Sequence, residues 1–472
     1  MKLVKNFLWN AGYQVFILLV PLITIPYISR VLGPTGVGIN SFTNSIVQYF
    51  ILFGSLGITT YGNREIAYQR DSKEKLSQTF WEIALLRFVS IFIATICYLV
   101  FVFFSHQYQT FYLIQGIMLI GAAFDISWFF MGMEDFKVTV LRNAFVKILS
   151  LILIFTLVKR ASDTGIYILI LAASQTLGYI TLWPYVRKVV SFVSFKKLNL
   201  FRHLSPSIAL LIPQIATQIY LQLNKTMLGT FRGVEASGFY DNSDKIIKMV
   251  LAIVTATGTV LLPHVAHSFA NGDHAAVKRS LVMSMHIILV LAFPMVFGLV
   301  AVSGPFTLIF FGHKFASVGS LMAVESAVIV FIGISNAIGI QYLLPTNQIQ
   351  SYTASVVLGS VVNIVLNVPL ILMWGTMGAI VATVISEAIV SGYQIYKIRQ
   401  QLPIFSLFKG IWKYALSGLA MFMVIVVIAQ LFTPGVLGIM VEVLVGIVTY
   451  VAILFMLQPK ELFSYVTRFR KK

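Results

Sequence analysis

Residues 280–303 read SLVMSMHIILVLAFPMVFGLVAVS, a run without one aspartate, glutamate, lysine or arginine. A helix rises 1.5 Å per residue, so about 20 apolar residues suffice to cross the ~30 Å hydrocarbon layer of a bilayer. Comparable runs recur on both sides of this one. They fall at 7–29, 37–60, 81–104, 111–132, 141–158 and 165–186, then at 207–231, 239–262, 319–343, 351–373, 376–396, 412–432 and 436–457. Backbone in hydrocarbon must satisfy its polar groups within the segment, which at this length means α-helix. The sequence therefore predicts an all-α polytopic membrane protein of about 14 transmembrane helices. Composition agrees: 58% of the 472 residues are apolar and 11% are charged, with a mean hydropathy of +0.89. Soluble domains carry about 25% charged residues.

The net charge of +18 could suggest nucleic acid as a partner. Its distribution points elsewhere. With the first run starting inside the cell, the inner segments hold most lysines and arginines, among them Lys5, Arg64, Lys73, Lys75, Arg187, Lys188, Lys278 and Arg279. The outer loops hold Arg30, Lys159, Arg160, Arg232 and Lys314. This is the positive-inside asymmetry, and it puts both termini in the cytoplasm. No nucleic-acid partner is expected, because so little chain lies outside the spans. Cys97 is the single cysteine, so no intrachain disulfide forms. Residues 7–29 are too long for a signal-peptide core and lack a small-residue cleavage site after them, so they read as the first span.

An internal repeat organises the chain. Val31-Leu32-Gly33-Pro34-Thr35-Gly36-Val37-Gly38 is followed by Asn44-Ser45. About 200 residues later, Met227-Leu228-Gly229-Thr230-Phe231-Arg232-Gly233-Val234 is followed by Asn242-Ser243. Each copy continues through a glycine-containing span (Gly57, Gly258) into a loop with an acid and bases, Asp71 to Lys75 and Asp273 to Arg279. Six spans separate the copies, an even number that preserves orientation, so the repeat is parallel about an axis along the membrane normal. The expected organisation is an N-terminal lobe at 1–205, a C-terminal lobe at 206–400, and a helix pair with a basic tail at 401–472.

Polar side chains inside spans are costly and face a bundle interior or a wet cavity. Here they form stripes. Asn40, Asn44 and Gln48 are spaced i, i+4, i+8 in span two. Gln214, Gln218 and Gln222 do the same in span seven and lead to Lys225; Asp241, Asp244, Lys245 and Lys248 follow in span eight. Asn10 and Gln14 mark span one. If the two lobes face one another, these stripes line one central cavity. Lys225, Lys245 and Lys248 would offer an anion-binding surface held by Asp241 and Asp244, with Arg30 at the outer mouth. Alternatively, Arg30, Lys225 and Lys245 snorkel to headgroups. Asp125, Glu325 and Glu387 either pair with buried cations such as Arg87, Arg142 and Lys147 or serve as carboxylates for a coupling proton or sodium ion. Arg142 reads as an interfacial anchor, and Asn363 with Asn367 as glue between helices.

Several chemistries lack their residues. Gly33 to Gly38 is glycine-rich, but no Lys-Ser/Thr follows it and no sheet supports a phosphate loop. His264, His267 and His274 have no cysteine or acid at metal-ligand spacing, so no metal is expected. No catalytic constellation assembles from loops this short, so the chain reads as a non-enzyme without a resident cofactor.

The stretch Asn6 to Ala67, containing NFLWNAGYQVFILLVPLITIPYISRVLGPTGVGINSFTNS and GITTYGNREIA, resembles the start of Wzx-type polysaccharide flippases. These belong to the multidrug/oligosaccharidyl-lipid/polysaccharide exporter superfamily. Leu223 to Ile246 (LNKTMLGTFRGVEASGFYDNSDKI) is similar to their second-lobe signature. The resemblance implies a flippase that moves an undecaprenyl-diphosphate-linked oligosaccharide across a bacterial cytoplasmic membrane by alternating access. It implies that Arg30, Lys225, Lys245 and Lys248 receive the diphosphate and that Asn40, Asn44 and Gln48 contact sugar. The first lobe has few deep cations, which favours a capsule, exopolysaccharide or teichoic-acid precursor over lipid II. The family suggests a monomer in contact with membrane lipids, with a polysaccharide polymerase or ligase as protein partner. Two alternatives stand beside this reading: a cation-coupled multidrug exporter of the same superfamily, and a non-transporting scaffold for envelope polysaccharide synthesis.

Overall fold

The structure is a computed structural model that describes residues 2–459 apart from 195, 197, 433 and 434. It leaves the side chains of 2–18, 136–139, 141, 212, 213, 216, 217 and 257–264 undescribed. The expectations resting on Lys2, Lys5, Asn10, Gln14, Lys137, Lys197, Gly258, His264 and the basic tail from Lys460 lie outside the described residues.

Every regular element among the described residues is helical. In chain order these are α1 (Lys2–Ser55), α2 (Ile58–Gln69), α3 (Lys73–Phe104), α4 (Gln109–Gln115), α5 (Ile117–Phe124), α6 (Ser127–Gly132) and α7 (Phe136–Leu157). There follow α8 (Thr164–Ile180), α9 (Trp183–Val186), α10 (Leu204–Arg232), α11 (Val234–Ala270) and α12 (His274–Phe310). The chain ends with α13 (Ser317–Glu325), α14 (Val328–Ser335), a π-helical stretch Asn336–Leu343, α15 (Ile349–Trp374), α16 (Thr376–Ile398), α17 (Ile404–Phe408), α18 (Ile411–Ala429) and α19 (Val436–Leu457). Ten helical stretches among the described residues are long and apolar enough to cross a membrane, and the first of them, Leu19–Gln69, holds two of the expected spans. The other expected spans fall on α7, α10 and α11, of 22, 29 and 37 residues. The all-α polytopic architecture is as the sequence predicts.

The repeat has a backbone cause. Gly33 interrupts α1 with φ 67° and ψ −177°, and Gly233 separates α10 from α11 with φ 89° and ψ 164°. L-residues rarely adopt positive φ, so glycine is required at both turns. The equivalent pair is thus Gly33 and Gly233, which sharpens the offset seen in the sequence. Near these turns helices approach to backbone contact. A Cβ on Gly38 would sit 2.0 Å from the Val234 carbonyl oxygen, and one on Gly229 would sit 2.0 Å from the Phe42 ring. Such small-residue approaches replace hydrophobic drive, which vanishes between helices in lipid.

The fourth span is broken into α4, α5 and α6, and a broken helix at membrane depth needs its freed backbone groups satisfied. Arg87 of α3 does this, donating from Nε to the Ala122 carbonyl at 2.7 Å. Its Nη2 meets Asp125 Oδ2 at 3.2 Å, while Asp125 Oδ1 accepts from the Ser127 amide at 2.9 Å, satisfying the first amide of α6.

Two compact units emerge, one reaching to Gly238 and one beginning at Phe239. In the first, α10 packs along α1 and α2, with Gln214 Nε2 donating to Thr60 Oγ1 at 2.9 Å and Ser45 bonded to Thr226 at 2.8 Å. The contacts divide the chain inside α11. In the second unit, α18 and α19 pack on α12: Tyr450 donates to the Val290 carbonyl at 2.9 Å, and Gly418 lies flat against Phe297.

Candidate substrate-binding site

In the first unit the amides of α1 turn toward α4 and α5. Gln115, almost fully buried, donates to Asn40 Oδ1 at 3.3 Å and to Thr43 Oγ1 at 3.4 Å. Asn44 Nδ2 approaches Gln115 Oε1 at 3.5 Å and Met118 Sδ at 3.4 Å. Two of the three stripe residues therefore have partners inside the unit. Gln48, one turn further, is half-buried and makes no hydrogen bond among the described residues. On α10, Gln218 is exposed, and Gln222 and Lys225 are half-buried. Arg30 is exposed, three residues before the Gly33 kink of α1.

In the second unit α11 presents charge in a regular arrangement. Asp241 and Asp244 are buried. Lys245 Nζ pairs with Asp241 Oδ2 at 2.5 Å, and Lys248 Nζ with Asp244 Oδ2 at 2.7 Å. Both are i, i+4 pairs along one helix, a spacing that brings side chains face to face. The lysine side chains keep 39% and 47% of their exposure. An ammonium has three donors, so after its aspartate bond each lysine still offers two. The carboxylates orient the heads without covering them. Ser243, on the same helix, donates to the buried Glu325 of α13.

The remaining intramembrane charges are placed as follows. Asp125 is held by Arg87. Glu387 is buried on α16 near Gln394, which donates to Ser355 of α15 at 2.9 Å. Asn367 donates to Asn363 at 2.8 Å along α15, both fully buried. Arg142 lies 5.3 Å over the Tyr179 ring, Lys147 is exposed on α7, and Glu442 is buried on α19. No group of three or more His, Cys, Asp or Glu residues able to hold a metal occurs among the described residues.

Sequence reading missed two clusters. Gln115 stands alone in its span, and only its contact with α1 reveals a role. Glu82, Arg202 and His203 meet across 121 residues of sequence, a distance that no local pattern bridges.

Crossing helices with polar stripes on α1, α10 and α11, and almost no chain outside them, define a multi-pass membrane protein of the transporter class. The chain belongs to the polysaccharide biosynthesis protein family, whose model matches residues 3–269, and residues 140–447 match the model of the lipid II flippase MurJ. It is a flippase-type transporter of the superfamily expected from the sequence. A relative named "Putative O-antigen transporter" in Escherichia coli K12 is 23% identical over 84% of this chain and 97% of its own length. The solved structure of lipid II flippase MurJ in an inward closed conformation has the same fold, with a TM-score of 0.78 at 16% identity, covering 95% of this chain and 98% of the other. An inward-facing multidrug resistance transporter of the MATE family is more distant, with a TM-score of 0.59 at 13% identity over 83% of this chain and 99% of the other.

Proposed function

We propose that the chain flips an undecaprenyl-diphosphate-linked oligosaccharide, a capsule, exopolysaccharide or teichoic-acid precursor, from the cytoplasmic to the outer leaflet by alternating access. The observation that carries this reading is the paired arrangement of α11: two lysine heads, each anchored by a buried aspartate and each with free donors. A diphosphate needs such donors, because an unpaired polar group in hydrocarbon costs several kcal/mol. The aspartates temper the attraction, which favours release as well as capture. Lys225 and Arg30 supply further cations on the first unit's helices. Gln48, Gln218 and Gln222 suit sugar hydroxyls, and Asn40 and Asn44 reach sugar only by giving up their bonds to Gln115. The chain catalyses no reaction in this reading and acts as a monomer in a bacterial cytoplasmic membrane, with both termini inside. Asp125, Glu325 and Glu387 are the carboxylates that would carry a coupling proton or sodium ion.

The test is flipping of defined lipid-linked oligosaccharides by the purified chain in liposomes, with an organic-cation substrate in parallel. Translocation of the oligosaccharide lipid alone supports the proposal. Transport of the organic cation alone would favour a multidrug exporter, a reading that the MATE-like fold and the acids of α11 also accommodate.

A further inference from the structure

The segment that joins α9 to α10 is fastened to α3 by one buried carboxylate. Glu82 has no exposed surface, yet both its oxygens are filled. Oε2 accepts from Arg202 Nη2 at 2.6 Å and from His203 Nε2 at 2.8 Å. Oε1 accepts from the Asn199 amide at 2.8 Å and from Gln78 Nε2 at 3.0 Å. Two further bonds fix the other end of the segment: the Ser191 amide donates to Ser77 Oγ at 3.0 Å, and Trp81 Nε1 donates to the Ser191 carbonyl at 3.1 Å. His203 stands immediately before the first turn of α10, and its Nδ1 lies 2.7 Å from the Tyr61 hydroxyl of α2.

We propose that Glu82 is the positioning residue of an acid-sensitive latch, which holds Asn199 to His203 and the start of α10 against α3 while His203 is neutral. The protonation state follows from the donors and acceptors. A carboxylate only accepts, so the imidazole hydrogen sits on Nε2 against Glu82, with the Arg202 Nε donor crowding the same nitrogen at 3.1 Å, and Nδ1 is left to accept from Tyr61. Glu82 and Arg202 then cancel in charge. A second proton on His203 would add an uncompensated positive charge beside Arg202 and abolish the acceptor that Tyr61 uses. The charged and titratable groups facing His203 are Tyr61, Arg64 and Glu65 of α2, Glu82 of α3 and the adjacent Arg202. Burial pushes the His203 pKa below its ordinary 6.5; the bond to Glu82 opposes this and Arg202 adds to it. A histidine depressed in the folded state stabilises it above the unfolded value and loses that contribution as pH falls. The latch therefore weakens below pH ~6.5. Because α10 carries Gln218, Gln222 and Lys225, a loosened latch lowers transport; that consequence rests on the flippase reading, whereas the latch itself does not.

Hydrogen exchange on the full chain in lipid nanodiscs, corrected for the intrinsic pH dependence of exchange, reads the latch without any substrate. In the wild type, the amides of Ser191 and Asn199, bonded to Ser77 and Glu82, should be protected at pH 7.5 and exchange about tenfold faster at pH 5.5. Glu82→Gln should show the fast rate at both pH values, with α12 to α16 unchanged. His203→Gln keeps a donor and an acceptor but cannot titrate, so it should stay protected at both. If Glu82→Gln does not accumulate, Arg202→Gln, whose side chain is 46% exposed, replaces it under the same criterion. Wild-type protection in Glu82→Gln or its replacement, or an acid response of His203→Gln equal to the wild type, overturns the proposal. Loss of flipping activity with an intact exchange pattern would bear on the transport reading and not on the latch.

Discussion

Arg87 with Asp125 and Lys248 with Asp244 are both ion pairs on membrane helices, yet they are built for different ends. In the first, the side chains keep 4% and 10% of their exposure, and the guanidinium is enclosed, donating to Ala122, Thr59 and the carboxylate. In the second, the carboxylate is nearly closed off while the ammonium keeps 47% of its exposure. A closed pair repairs a broken helix and is shut away from any ligand. A half-open pair holds a donor in position and leaves it available. Charge inside a membrane protein therefore points to function only when its polar atoms stay accessible to a ligand.

Breaking the closed pair should have the largest effect on folding. Arg87→Ala leaves a buried carboxylate uncompensated and the Ala122 carbonyl short of a donor, for a loss of about 3–5 kcal/mol. It should be read as a lowered unfolding temperature in detergent or failure to accumulate. Arg87→Met combined with Asp125→Leu should recover part of that loss, because removing both charges removes the imbalance. Lys248→Ala should cost less than Arg87→Ala, because the lost ammonium is half exposed and also leaves no backbone carbonyl short of a donor, although Asp244 loses its counter-charge as Asp125 does; equal losses at the two sites would erase the distinction. The smallest effect belongs to the amides. Asn44→Ala should lower stability by about 0.6 kcal/mol, the usual worth of a hydrogen bond between membrane helices. A transport defect without any shift in unfolding would instead mean that Asn44 touches sugar.

Hydropathy made the crossings readable because hydrocarbon imposes the same demand on every span. The repeat was readable because both turns need glycine. The orientation of the stripes was not. Spacing of i, i+4 tells that Asn40 and Asn44 share a face but not that Gln115 occupies it, since Gln115 belongs to no stripe of its own. The pairing within α11 was legible, being local, whereas the Glu82 cluster joins elements far apart in sequence. Local periodicity reports which residues travel together, and only tertiary packing decides which of them remain open.

The measurement that tests the account most directly is flipping of one defined undecaprenyl-diphosphate oligosaccharide in liposomes by the wild type and by Lys225→Ala combined with Lys248→Ala, with unfolding followed on the same preparations. The account predicts at least about a tenfold loss of flipping, the worth of ~1.4 kcal/mol of lost anion contacts, with folding preserved. Flipping at the wild-type rate in a folded double variant would contradict it.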